Sequence, residues 1–168
     1  DRLITRSIME TIEAVESVDS KEHAVLVLDS VTHLWEAARD AYTGKKMSNG
    51  GIPIHAWQAI KKPYKRLMAL LIDGDFHVII CGRQKTVYST DEETDELKSV
   101  GVTMRAEGET PYEPHILIRM EGIRPKKTNE VAQIVAYAEK DRTGVLSGRS
   151  FINPNFDSLC KPLLGLLG

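Results

Sequence analysis

Ala24-Val25-Leu26-Val27-Leu28-Asp29-Ser30 is the stretch that decides the fold of this chain. Five apolar residues in an unbroken row, without polar alternation, are typical of a strand buried on both faces of a parallel sheet. The row ends abruptly in a carboxylate and a hydroxyl. Open α/β sheets bind their ligands beyond the carboxyl ends of their strands. The stretch therefore predicts a buried strand that delivers Asp29 to a ligand site.

Two interpretations of this strand end are open. A carboxylate at that position suits a Mg²⁺ ion, or its bound water, beside nucleotide phosphates. A simpler arrangement explains the same residues, because Ser30 is also a good N-cap for a following helix. Support from elsewhere in the chain is needed to separate them.

A second apolar run, Phe76-His77-Val78-Ile79-Ile80-Cys81, ends in Gly82-Arg83-Gln84-Lys85. Between the two runs, apolar spacing predicts helices over about 30–42 and 54–72, and Pro63 is expected to kink or split the second. Strands separated by helices form the βαβ pattern of a parallel sheet. Each run therefore delivers polar groups at a carboxyl end.

The remaining pattern predicts a helix near each end of the chain and several further strands. These elements cover residues 3–18 (helix), 115–120, 130–139 and 151–152 (strands) and about 155–166 (helix). Residues 86–110 contain the acidic run 91–96, which indicates a solvated excursion.

Composition sets the broad class of the chain. It has 168 residues and a formal net charge of −2, which gives no overall attraction to nucleic acid. Cys81 and Cys160 are far apart, and we expect them to be reduced in a cytoplasmic protein, although two cysteines also permit a disulfide. No leader pattern and no apolar run of about 18 residues occur, so we expect no membrane span. The five histidines lack zinc-ligand spacing.

Residues 43–53 form a glycine-containing, locally basic segment that includes Lys45 and Lys46. Such a segment is a flexible loop. Two interpretations remain open here as well: a solvated connection between helices, or a loop that contacts a phosphate backbone.

Taken together, these segments resemble the RecA/KaiC-like branch of P-loop ATPases, and in particular its phage-type recombination ATPases. Residues 24–34 resemble the Walker B strand and the start of its helix. Residues 43–70 resemble the first DNA-facing loop and its helix, and residues 77–83 resemble the next strand, which ends in a sensor residue. Residues 138–144 resemble the Lys-x-Arg that this branch projects into the nucleotide of the neighbouring subunit.

The resemblance implies roles for individual residues. Asp29 is implied to hold Mg²⁺ at bound ATP, with Ser30 ordering the water of the metal. Arg83 is implied to stabilise charge on the γ-phosphate, although an ion pair at the strand end remains an alternative. Lys140 and Arg142 are implied to act in trans as finger residues, which contribute several powers of ten in rate. The alternative interpretation is that Lys140 and Arg142 are simply two solvated basic residues after a strand.

The likeness to the DNA-facing helix also implies nucleic-acid contacts. The candidates are the basic residues of the loop and of the helix after it: Lys45, Lys46, Lys61, Lys62, Lys65 and Arg66.

One departure from the family is plain: no G-x-x-x-x-G-K-[ST] occurs, so the loop that cradles phosphates is missing. We therefore expect an α/β, three-layer RecA-like fold with a mostly parallel sheet, incomplete at its N-terminus. Residues 1–168 are expected to be a single ATPase core domain, its C-terminal two-thirds.

The intact protein is expected to be a Mg²⁺-dependent ATPase that acts on DNA as a homo-oligomeric ring or filament. The chain alone is expected to hydrolyse ATP poorly or not at all. Two alternatives remain open: an inactive RecA-like module for binding or assembly, and a metal-dependent nuclease with a second carboxylate near Asp29.

Overall fold

The computed structural model describes residues 1–43, 52–90, 97–125 and 130–166. The chain divides into two compact units, Asp1–Glu113 and Pro114–Gly168. Each unit contains both helices and strands, which confirms the predicted mixed α/β class. No helix among these residues is long and apolar enough to cross a membrane.

The first unit is built on a pair of parallel strands. β1 (Val25–Asp29) pairs with β2 (His77–Cys81), and the register runs from Val25 opposite His77 to Asp29 opposite Cys81. The first unit also contains α1 (Ile8–Glu16), α2 (Val31–Thr43) and α3 (Ile54–Asp73). Since α2 and α3 lie between the two strands in sequence, the predicted βαβ pattern is confirmed.

β1 is buried on one face only, and the prediction of two buried faces is wrong. Leu26 and Leu28 pack against the helical core. Val25 and Val27 are 51% and 59% exposed, and Ile79 on β2 is 48% exposed. Alternate residues of the apolar run therefore have no covering layer within the described ranges, where the helices cover a single face.

The core of the first unit comes mainly from one face of each helix. Its buried members are Ile8, Ile12, Val15, Val31, Leu34, Trp35, Ile60, Tyr64, Leu67, Met68, Leu71 and Ala106. The ring of Trp35 stacks on Trp57 at 6.2 Å and meets Tyr64 edge-on at 5.2 Å. These three rings fix α2 against α3, because aromatic contacts have preferred geometries.

α3 passes through Pro63 as one helix of 20 residues, so the predicted split does not occur. Proline inside a helix costs about 3 kcal/mol, because it removes an amide donor and its ring crowds the preceding turn. Ile60, Tyr64 and Leu67 flank Pro63 and are all buried. Their burial offsets that cost.

β3 (Gln84–Thr90) and β4 (Leu97–Met104) form an antiparallel hairpin that the sequence did not predict. All of β3 and the first six residues of β4 are exposed. The sequence gives no sign of these strands, because a hairpin that is open on both faces lacks the alternation that marks a half-buried strand. The acidic run 91–96 lies outside the described residues.

The second unit is an antiparallel sheet with the strand order β5-β6-β7. The strands are β5 (Ile116–Ile123), β6 (Gln133–Asp141) and β7 (Ser150–Ile152). Ala138, Leu146 and Leu163 form its buried core. The sequence places a helix over about 155–166 that Pro162 predicts to be short or to begin late. The structure has the short α4 (Phe156–Leu159) followed by a 3-10 helix (Lys161–Leu163) with Pro162 in its first turn.

The predicted mostly parallel sheet is wrong for the described part of the chain. Its strands form three separate sheets, and three of its four strand pairs are antiparallel. Parallel strands need a crossover of a dozen or more residues. Only the β1–β2 connection, with its two helices, has that length, whereas two residues separate β2 from β3.

A buried pair of hydroxyl groups generates a stability prediction. Tyr64 Oη lies 2.8 Å from Thr110 Oγ1, and the two residues are 1% and 2% exposed. Tyr64→Phe leaves the Thr110 hydroxyl buried without this partner, so we expect a loss of about 1–3 kcal/mol in the free energy of unfolding in urea. The control Tyr88→Phe, at a residue that is 61% exposed, is expected to lose less than about 0.5 kcal/mol. Equal losses would contradict the prediction.

Candidate functional site

The carboxyl ends of β1 and β2 lie side by side. Asp29 is directly opposite Cys81 in the parallel register. The chain leaves β1 through a cis peptide between Asp29 and Ser30 and begins α2 at Val31. Because both strands point the same way, Asp29 and the residues that follow Cys81 collect at one edge of the pair. This edge is the candidate site.

Asp29 and Ser30 differ in their surroundings. Asp29 is exposed. The Ser30 Oγ is buried and has no hydrogen-bond partner in the part of the chain that the structure describes. The Ser30 carbonyl accepts from the His33 amide at 3.1 Å, so its backbone starts the helix while its side chain caps nothing there. The N-cap alternative for the Ser30 side chain is therefore not observed.

These two residues fit a hydrated Mg²⁺ ion. Mg²⁺ prefers oxygen ligands, keeps several of its waters, and is bound by one or two carboxylates together with substrate phosphates. An exposed carboxylate beside a hydroxyl that lacks a partner meets that requirement. No group of three His, Cys, Asp or Glu side chains that could hold a metal occurs among the described residues.

Arg83 follows β2 at the same edge. Its backbone amide donates to Thr32 Oγ1 at 2.9 Å, while its side chain is exposed. Cys81 is the last residue of β2, and both burial and the nearby Asp29 carboxylate raise the pKa of its thiol. A raised pKa keeps this thiol protonated at neutral pH, and both Cys81 and Cys160 are free, as expected.

The second unit carries Lys140 and Arg142 at the end of β6. Lys140 is opposite Leu117 in the register, and the Arg142 amide donates to the His115 carbonyl at 2.9 Å. Between them, Asp141 accepts from the Thr143 amide at 2.7 Å and from the Leu146 amide at 2.6 Å. Burial opposes ionisation of Asp141, but these and other hydrogen bonds lower its pKa overall. The turn that carries Arg142 is therefore ordered by an ionised carboxylate.

A comparison with protein-family models matches residues 4–145 to the family described as AAA domain. The chain belongs to this AAA domain family. The match includes β1, β2 and the end of β6, and thus all four of Asp29, Arg83, Lys140 and Arg142. A search of curated proteins and a search of solved structures each returned no match.

Membership of the AAA domain family shows the chain to be of the P-loop ATPase class and indicates nucleotide binding, usually with Mg²⁺. The coarse part of the resemblance is thereby confirmed. The RecA/KaiC-like subtype and the roles of individual residues stay predictions.

The basic face of α3 in this AAA domain is partly neutralised. Lys61 Nζ lies 2.6 Å from Glu107 Oε1, and Arg66 pairs with Glu16. Lys62 is exposed, and it lines a groove with Gln58, Lys61 and Lys65. Lys45 and Lys46 lie outside the described residues.

Sequence reasoning missed Thr32, Glu107 and Asp141. Thr32 and Glu107 act through partners 51 and 46 residues away, so no local signal identifies them. Asp141 had a usable signal. Its carboxylate accepts from the amide two residues later, which is the Asx-turn pattern, and Asp141-Arg142-Thr143-Gly144 is a typical turn sequence.

The Lys61–Glu107 pair gives a prediction of pH dependence. Glu107 is 4% exposed. Burial raises its pKa, but hydrogen bonds from Lys61 and from the backbone amides of Glu109 and Gly108 outweigh burial, so the pKa lies below its ordinary value of 4.5. A lowered pKa contributes stability above the unfolded value that is lost as the pH falls through the folded value.

We therefore expect Glu107→Gln to lower the free energy of unfolding by about 1–3 kcal/mol at pH 7. The difference from wild type is expected to shrink as the pH falls below about 4.5. Urea unfolding at several pH values measures it. The control Glu109→Gln removes an acid that is 66% exposed and pairs with Lys65 at 3.8 Å, and it is expected to cost less than about 1 kcal/mol. A difference independent of pH would contradict the prediction.

Proposed function

We propose that this chain is part of a Mg²⁺-dependent ATPase that acts on DNA and works as a homo-oligomer. The observation that carries the proposal is the exposed Asp29 at the end of β1, next to a Ser30 hydroxyl without a partner in the described part of the chain. Membership of the AAA domain family supports a nucleotide as the ligand that we propose for this edge. The RecA/KaiC-like subtype, with its three layers, is the finer form of the proposal.

In the proposed function, Asp29, Ser30 and Arg83 of the first unit each have one task. Asp29 holds Mg²⁺ directly or through its water, and Ser30 donates to that water or to a phosphate oxygen. When bound, Mg²⁺ neutralises charge on the β- and γ-phosphates. Arg83, exposed at the end of the neighbouring strand, faces the charge that develops on the γ-phosphoryl group.

Lys140 and Arg142 supply positive charge to the nucleotide of a neighbouring subunit. An arginine that enters a site in trans stabilises charge in the transition state and makes hydrolysis depend on assembly. The hydrogen bonds of Asp141 support this role, because they hold the backbone on both sides of Arg142. A ring or a filament is the kind of assembly that places one subunit's cations at the next subunit's nucleotide.

The sequence has no phosphate-cradling motif, and the proposal assigns that loop to a part of the protein outside this chain. The chain alone is then expected to bind Mg²⁺–nucleotide weakly and to hydrolyse ATP poorly or not at all. ATP hydrolysis by residues 1–168 that is abolished in Asp29→Ala would contradict this assignment.

Binding of metal and nucleotide by the chain tests the role of Asp29. We expect Mn²⁺, used as a probe for Mg²⁺ in electron paramagnetic resonance, to bind more tightly in the presence of ATP than in its absence. Asp29→Asn is expected to weaken that ATP-dependent binding about tenfold, as for loss of a charged ligand worth about 1.4 kcal/mol. The control Asp73→Asn, at an exposed acid on the last turn of α3, is expected to have no effect. Equal affinities in all three proteins would overturn the metal role.

The second candidate function is an inactive module for binding or assembly. The absence of a phosphate-binding motif from the sequence favours it. The two candidates differ in one measurement: an assembly module self-associates without dependence on nucleotide and binds no Mn²⁺–ATP. Sedimentation with and without Mg²⁺–ATP separates them.

Contact with DNA is proposed through the basic loop and α3, and Lys62 is an exposed member of this set on α3. Each phosphate contact contributes about 0.7–0.9 to the slope of log affinity against log salt concentration. Lys62→Gln is therefore expected to weaken binding of single-stranded DNA and to reduce that slope by about this amount. Lys21→Gln, at an exposed residue before β1, is the control. An affinity that does not depend on salt would argue against a phosphate contact.

A further inference from the structure

Two polar side chains of α2 contact the base of the β3–β4 hairpin. Thr32 Oγ1 accepts from the Arg83 amide at 2.9 Å, just before β3 begins. Glu36 Oε1 lies 2.8 Å from Arg105 Nε, just after β4 ends. Side chains four residues apart lie on the same face of a helix. One face of α2 therefore contacts both ends of the hairpin.

The two ends of the hairpin are also joined to each other. The Arg105 amide donates to the Arg83 carbonyl at 2.6 Å. Met104 packs so closely over Gly82 that a Cβ on Gly82 would lie 2.6 Å from Met104 Cγ. The two strands are therefore held together at the base of the hairpin, although most of their residues are exposed.

The burial of Thr32 indicates why its hydroxyl matters. Thr32 is 0% exposed, and a buried hydroxyl is normally hydrogen-bonded. The last pair of the parallel ladder is Asp29 with Cys81, so Arg83 lies beyond the ladder. Thr32 supplies the acceptor that the Arg83 amide needs. Since Thr32 is three residues after Asp29 and within the first turn of α2, the same hydrogen bond ties Arg83 to the end of β1.

On the basis of the proposed function, we infer that Thr32 and Glu36 are positioning residues for Arg83. They fix the backbone at Arg83 against the start of α2, and so hold its guanidinium at the edge where Asp29 lies. Neither residue needs to touch the nucleotide. Thr32 provides the direct contact, and Glu36 holds the opposite end of the hairpin through Arg105.

Amide hydrogen exchange in the full chain tests the positioning itself. Thr32→Val keeps the shape of the side chain and removes the acceptor, so we expect the Arg83 amide to exchange about five- to tenfold faster. Thr32→Ser retains the hydroxyl and is expected to restore slow exchange. Thr11→Val is the matched control, because Thr11 is also buried and its hydroxyl donates to the Ser7 carbonyl at the start of its own helix.

Glu36→Gln distinguishes the contributions of the two ends of the hairpin. It is expected to speed amide exchange at Arg105 more than at Arg83. This variant changes a partly exposed residue, so it also tests the inference if Thr32→Val unfolds. An Arg83 exchange rate that is the same in wild type and in the folded Thr32→Val protein would overturn the positioning role.

A double-mutant cycle on Mn²⁺–ATP binding tests whether Thr32 acts through Arg83. We expect Thr32→Val and Arg83→Gln each to weaken binding severalfold, and the double variant to be no weaker than Arg83→Gln alone. Additive losses would overturn action through Arg83. Failure of the wild-type protein to bind Mn²⁺–ATP would instead contradict the proposed function. In that case the amide exchange rate at Arg83 would still test whether Thr32 positions Arg83.

Discussion

The parallel pairing of β1 with β2 is the constraint on which the rest of the first unit depends. Its register sets Asp29 opposite Cys81, so both strands end at one level. Polar residues from two distant parts of the sequence then meet there: Asp29 and Thr32 from the first, Arg83 from the second. Parallel pairing requires a long crossover, and α2 and α3 supply it together with the apolar core. The crossover through α2 and α3 therefore makes both the parallel strand ends of the site and the apolar core of this unit possible.

Among the described residues of the first unit, buried polar side chains have hydrogen-bond or ion-pair partners, with one exception. Glu107 has Lys61 and backbone amides, Thr110 has Tyr64, and Thr32 has Arg83. The Ser30 Oγ is the side-chain atom without a partner in the described ranges. An unsatisfied buried group is one of the features expected at a functional or strained site, where a water, an ion or a ligand can supply the missing partner. Because Ser30 adjoins Asp29, this unsatisfied hydroxyl is the main structural support for the proposal that the nucleotide binds at this edge.

The AAA domain match extends across both units, which fits a division of labour between them. Under the proposed function, Asp29 of the first unit would hold the metal, and Lys140 and Arg142 of the second unit would act in trans from a turn that the Asp141 carboxylate orders. Positive charge on a fixed backbone acts on a phosphate with little cost of reorganisation. The short, hydrogen-bonded turn after β6 meets this condition better than a flexible loop would.

The sequence by itself determined the mixed α/β class, the βαβ pattern, the position of Asp29 and the general P-loop ATPase character, because these follow from local apolar runs and from motifs. It did not determine the exposed outer face of β1, the β3–β4 hairpin or the mostly antiparallel pairing. An apolar run indicates which residues a strand can bury, but it does not indicate which element covers them. Thr32, Glu36 and Glu107 acquire their roles from partners about 45–70 residues away. Only the tertiary structure brings such residues together, because contacts at that separation leave no periodic trace in the sequence.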